Sequence, residues 1–157
     1  MRLQRGLYFE DFEMDKVIQT QGRTITQADI VNFAGFTGDY SELHVNEEYS
    51  KTTPFGQPIA HGMLSLSVAT GLAILTGALE GTIIAFAGIK DWEFKRPVFI
   101  GDTIFVEMKV ISREERNMRG MNIGHISLEA SVLKGGGKGK LCQSGTWSFL
   151  VKRRENV

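Results

Sequence analysis

Residues 36–46 read Phe-Thr-Gly-Asp-Tyr-Ser-Glu-Leu-His-Val-Asn and place a carboxylate, Asp39, five positions before an imidazole, His44. Both are proton-carrying groups, and together they suit general acid–base chemistry on one water molecule. On a regular helix five positions would set them about 140° apart, so that chemistry requires an irregular segment here. The spacing alone equally allows Asp39 to cap a turn and His44 to be a satisfied surface or core residue. A second candidate is Ile59-Ala60-His61-Gly62-Met63. If this stretch opens a helix, its first backbone N–H groups lack intrahelical partners, and glycine lets a ligand approach them. The Gly62 amide would then serve an oxygen on which negative charge develops. The competing reading is that Gly62 only permits close packing of helix on sheet. Asp39, His44 and His61 can also be imagined as metal ligands, but the sequence offers no closely spaced ligand cluster, and no metal is expected.

The elements that must position these residues follow from local pattern. Thr26 and Asp29 form a capping-box pair ahead of Ile30, Phe33 and Ala34 at helical spacing, which predicts a helix over 27–36. Gly38 can close it with a positive φ, leaving 39–45 as a loop. Asn46 is a good N-cap for a second short helix that stops before Pro54. Residues 62–79 contain no charge and are apolar on most of their circumference, predicting a long core helix buried on nearly all sides.

The second half changes period. Ile104, Val106, Met108 and Val110 alternate with Phe105, Glu107, Lys109 and Ile111, and a similar alternation runs over 126–133. A last strand passes through Trp147, Phe149 and Val151, after a flexible glycine-rich loop at 135–140. Residues 83–89 read as a strand buried on both faces. Helices segregated from strands in meander order predict one α+β domain over 1–157, an antiparallel sheet wrapped around the long helix.

Composition narrows the partners. Lys plus Arg and Asp plus Glu each number 18, so no overall field draws the chain to polyanions and nucleic acid is not expected. The single Cys142 makes no internal disulfide. The chain has no run of 18 apolar residues, and 1–7 lack the apolar core of a signal peptide, so neither membrane nor secretion is expected and the location should be cytoplasmic. His125 falls on a strand and reads as a surface residue. Lys90, Lys95 and Arg96 read as a solvated rim within reach of a ligand's phosphates.

Three stretches in order resemble the MaoC-like family of R-specific enoyl-CoA hydratases and dehydratases, over most of the chain. Gly38, Asp39, Leu43 and His44 match that family's Gly-Asp-x-Asn-Pro-hydrophobic-His, and His61, Gly62 and Met63 match its His-Gly-Met. Residues 94–103, Phe-Lys-Arg-Pro-Val-Phe-Ile-Gly-Asp-Thr, are similar to the stretch that leads into the family's long strands. The resemblance implies a hotdog fold and an acyl-CoA or acyl-carrier thioester ligand. Asp39 and His44 would be its catalytic pair, Gly62 its oxyanion hole, and Ser41, His61 and Met63 its substrate contacts. Coenzyme A would enter only as part of the substrate, with no other cofactor; separately, half-apolar strands cannot leave a wide apolar patch in water, so the sheet's outer face predicts a homodimer or higher homo-oligomer. A departure accompanies it: Ser41 and Glu42 replace Asn and Pro, so the loop loses a fixed φ and gains a carboxylate. Two alternatives remain at this point, a hotdog thioesterase and a non-catalytic acyl-thioester binding domain.

Overall fold

The computed structural model describes residues 5–154. Residues 1–4, part of the stretch read for a leader, and 155–157 lie outside the described residues. The elements are β1 (Val17–Gln19), β2 (Arg23–Thr24), α1 (Gln27–Thr37), α2 (Glu42–Val45), α3 (Glu47–Lys51), α4 (Gly62–Leu75), β3 (Ile83–Phe94), β4 (Thr103–Met118), β5 (Met121–Lys134) and β6 (Lys140–Val151).

The helical caps form as the sequence predicts. The Thr26 hydroxyl accepts from the Asp29 amide at 3.2 Å, and the Asp29 carboxylate accepts from the Thr26 amide at 2.8 Å. Gly38 closes α1 with φ 79°, and the Asn46 side chain accepts from the Tyr49 amide to start α3. The stretch 39–45 is not wholly a loop, because its second half winds into the single turn α2. That turn is held from outside: the buried Ser50 hydroxyl donates to the carbonyls of Glu42 and Leu43.

Helix α4 stops at Leu75, short of Leu79, because Gly77 takes φ 78° and turns the chain while the residues beyond it are still apolar. It is also less covered than its composition predicts. Leu64, Leu66, Val68, Ala69, Leu72 and Ala73 are buried, whereas Met63, Ile74 and Leu75 are exposed. An uncharged helix reads as buried all round, yet α4 has the sheet on one side only.

The strands form one antiparallel sheet in the order β1-β4-β5-β6-β3, with β2 also on β4. β4, β5 and β6 follow one another as expected, but β3 pairs with β6 instead of β4, so the order is not a simple meander. This puts β3 at an edge, with Phe86, Ile89 and Phe94 exposed, so it is not the doubly buried strand expected. A short apolar run looks the same at a sheet's edge and at its centre. β1 and β2 fall in the irregular start and are too short for alternation to mark them.

Ile104, Val106, Met108 and Val110 of β4, Ile126 and Leu128 of β5, and Trp147 and Phe149 of β6 join the α4 side chains in one buried cluster. The sheet thus wraps α4, and alternation sends its other side chains outward. This packing fixes the one end of α4 on which the site depends.

Candidate active site

The turn after α1 and the start of α4 meet. One carboxylate oxygen of Asp39 and one ring nitrogen from each of His44 and His61 lie within 4.8 Å of one another. A separation of that size lets one water at about 2.8 Å reach two of the groups at once.

Each group is held by a main-chain contact. His44 Nδ1 lies 2.7 Å from the Ile59 carbonyl oxygen. A carbonyl only accepts, so Nδ1 carries a hydrogen, and in the neutral ring the lone pair is then on Nε2. His61 is 3% exposed, and its Nε2 donates to the main-chain oxygen of Asp39 at 2.9 Å. The His44 and His61 rings stack with centroids 3.8 Å apart. The Asp39 side chain is 53% exposed. Its Oδ1 accepts from the Ser41 amide at 3.2 Å, and its Oδ2 lies 4.0 Å from His61 Nε2. Turn cap and proton carrier are therefore compatible roles for Asp39, one for each oxygen.

A cleft of about 450 Å³ runs from His44 to the head of α4, lined by Phe55, Ile59, Ala60, Gly62, Met63, Ser65, Phe94, Val98 and Gln143, with Lys95 and Arg96 beside it. The Gly62 amide has no acceptor among the described residues, and Gly62, the first residue of α4, lines this cleft. A Cβ at Gly62 would sit 2.7 Å from the Phe94 ring, so close packing needs glycine here as well. The two readings of Gly62 do not compete. On the other flank of His44 a second cleft of about 350 Å³ is lined by Gln27, Ile30, Val31, Glu47, Gln57 and Ile100 among others.

Of the other residues singled out by sequence, Met63 lines the first cleft and is 54% exposed. Ser41 is exposed and Ser41 and His61 are absent from its walls; His61 lies behind His44. The three-residue cluster that sequence spacing does not show forms in space, with ligand-type atoms close enough to hold a metal ion. His44 Nδ1 and His61 Nε2 are each committed to a main-chain oxygen, so each ring has its other nitrogen left to offer. Lys95 pairs with Glu93, and Arg96 donates to the Leu141 carbonyl, both at the exposed mouth. His125 is not the surface residue expected: its side chain is 12% exposed, and burial pushes its pKa down, with Arg116 adding to the effect and Glu114 opposing it.

Two residues of the site escaped sequence reasoning. Gln143, 2% exposed, accepts from Trp92 Nε1 through Oε1 and donates through Nε2 to the Gly62 carbonyl at 3.0 Å. It ties the head of α4 to β6 and β3. Ser65 is buried in the cleft wall. A buried polar residue within an apolar pattern was the available signal for both.

Among the described residues, no helix is long and apolar enough to cross a membrane. A family model described as MaoC like domain matches residues 11–130. An (R)-specific enoyl-CoA hydratase of Rhodospirillum rubrum is 39% identical over 103 residues, covering 66% of this chain and 69% of that one. The structure of a monoamine oxidase regulatory protein from Archaeoglobus fulgius is 35% identical, with TM-score 0.84 over 96% of this chain and 97% of that one. A double-hotdog protein of Mycobacterium tuberculosis, 18% identical, gives TM-score 0.82 over 97% of this chain and 46% of that one, and shares the hotdog fold. The chain spans 33%, 65% and 69% of the length of three curated relatives that it matches.

Proposed function

Since the chain belongs to the MaoC-like domain family, we propose that it is a hydratase/dehydratase acting on the 2,3 bond of an enoyl thioester, bound as the CoA or acyl-carrier form. The observation that carries this reading is the convergence of Asp39 and His44 within 4.8 Å, beside a cleft that runs to the Gly62 amide. The thioester carbonyl oxygen accepts from the Gly62 N–H, while Asp39 and His44 Nε2 hold one water against the β-carbon. His44 takes a proton from that water as its oxygen bonds to the β-carbon. The π electrons move toward the carbonyl, and the α-carbon then receives a proton from the pair; the reverse sequence expels water. An acid–base pair contributes about 10² to 10⁴ in rate and one oxyanion donor about 10² to 10³, together roughly 5 to 9 kcal/mol. No metal enters these steps. The relative from Rhodospirillum rubrum is named R-specific, which favours an R-3-hydroxyacyl product.

His61 supports the pair from behind, through its stack on His44 and its bond to the Asp39 main chain. We also propose a homodimer, because edge strand β3 and one face of α4 expose Phe86, Ile89, Phe94, Ile74 and Leu75.

The direct test follows loss of enoyl absorbance with trans-2-butenoyl-CoA for wild type, Asp39→Asn and His44→Gln. Each variant should lose about 10² to 10⁴ in turnover. Near wild-type rates in both remove the pair from the mechanism. Thiol release from butyryl-CoA would identify a thioesterase instead, and thioester binding with no turnover a regulatory domain.

A further inference from the structure

The cleft that reaches Gly62 is lined in part by polar groups the hydration chemistry does not use. Ser65 lines it, is 1% exposed, and its Oγ has no hydrogen-bond partner among the described residues. It stands three residues beyond Gly62, on the same helical face one turn further in. Gln143 lines the same region. Its side chain is pinned by Trp92 and by the Gly62 carbonyl, and an amide nitrogen has two hydrogens, of which the second has no acceptor among the described residues. The neighbouring walls, Ile59, Ala60 and Val98, are apolar.

The residues that line the cleft differ in depth. Lys95 and Arg96 are exposed and mark the mouth, whereas Ser65 and Gln143 are almost wholly buried. A charged, extended thiol handle belongs at the mouth, and the acyl group at the buried end. A plain alkyl tail there would leave the already buried hydroxyl and amide hydrogen unpaired, whereas an oxygen on the ligand would pair them and relieve that cost. A carboxylate would be buried without a cation, since both cations beside the cleft are at its exposed mouth and Lys95 is already paired with Glu93.

We propose that Ser65 and Gln143 form a specificity site for a neutral oxygen on the acyl group, a hydroxyl or carbonyl carried beyond the 2,3 bond. The assignment of the buried end to the acyl group rests on the hydratase reading above. Ser65 Oγ donates to or accepts from that oxygen, and Gln143 Nε2 donates to it.

The test measures binding by calorimetry with butyryl-CoA and 4-hydroxybutyryl-CoA, in wild type and Ser65→Ala, alongside trans-2-butenoyl-CoA turnover by the wild type. Wild type should bind the hydroxylated thioester about tenfold or more tightly, and Ser65→Ala should bring the ratio of the two affinities near one. Equal affinities in wild type, or a ratio that Ser65→Ala leaves unchanged, overturn the proposal. Hydration without an affinity preference overturns this inference alone; a preference without hydration overturns the hydratase reading alone; failure to bind either thioester overturns both.

Discussion

The β4–β6 sheet and the segment from Gly38 to Gly62 are held together by different means. In the sheet, Ile126, Val132, Trp147 and Val151 are fully buried and every neighbour is fixed by strand register. Stability there comes from apolar area removed from water, about 1.5 to 3 kcal/mol for each large side chain. In the segment most residues are exposed, and position comes from single polar links: His44 to Ile59, His61 to Asp39, Ser50 to Glu42 and Leu43. Hydrogen bonds of this kind add little net stability, about 1 kcal/mol each, but they are directional. The contrast teaches that one region stabilises the molecule while the other orients Asp39, His44 and His61.

That division can be broken by experiment. Ile126→Ala opens a cavity in the sheet core and should lower unfolding free energy by about 2 to 5 kcal/mol in urea titrations. Turnover per folded molecule should stay within about twofold, below the effect of one acid–base group; a loss as large as that of His44→Gln would erase the distinction. Gly62→Ala should behave in the opposite way. Its Cβ would press on the half-exposed Phe94 ring and drive it toward the cleft. We expect kcat/KM to fall about 10², with unfolding free energy shifted by no more than about 1 kcal/mol.

Thr26→Ala is a smaller probe at the entrance to the segment, expected to remove about 1 kcal/mol through loss of the α1 cap. Burial alone would raise the Asp29 pKa, but hydrogen bonds from the Thr26 amide and hydroxyl and the charge of Arg23 outweigh it and hold the carboxyl below its ordinary range. A depressed carboxyl stabilises the fold above its unfolded value and loses that contribution as pH falls through the folded one. The gap between wild type and Thr26→Ala should therefore narrow below about pH 4 in urea unfolding; a constant gap would show that the carboxylate has no part in the cap.

The same contrast governs what the sequence disclosed. Alternation over 104–110 and 126–132 gave the long strands, because burial of every second residue is a local rule. The caps at Thr26, Gly38 and Asn46 were equally legible, being set by residues within one turn. The ends and edges were not. α4 stops at a glycine inside an apolar run, and the edge position of β3 depends on its pairing with a strand far along the chain. At the site, residue types and spacing raised Asp39, His44 and Gly62 as candidates and the resemblance assigned them roles, but neither disclosed the partners that orient them. The Ile59 carbonyl carries no side-chain signal, and Gln143 is 81 positions from the Gly62 carbonyl that it holds. Long-range polar partners of this kind have no period to read.

The link from His44 Nδ1 to the Ile59 carbonyl has one more consequence. A neutral imidazole with its hydrogen on Nδ1 and a doubly protonated one make that same bond, so the ring can load and unload a proton at Nε2 without rotating or exchanging its anchor. In the proposed hydration His44 would thus be a fixed bearing: the proton would move while the heavy atoms stay still, and no step would wait for the side chain to find its place again.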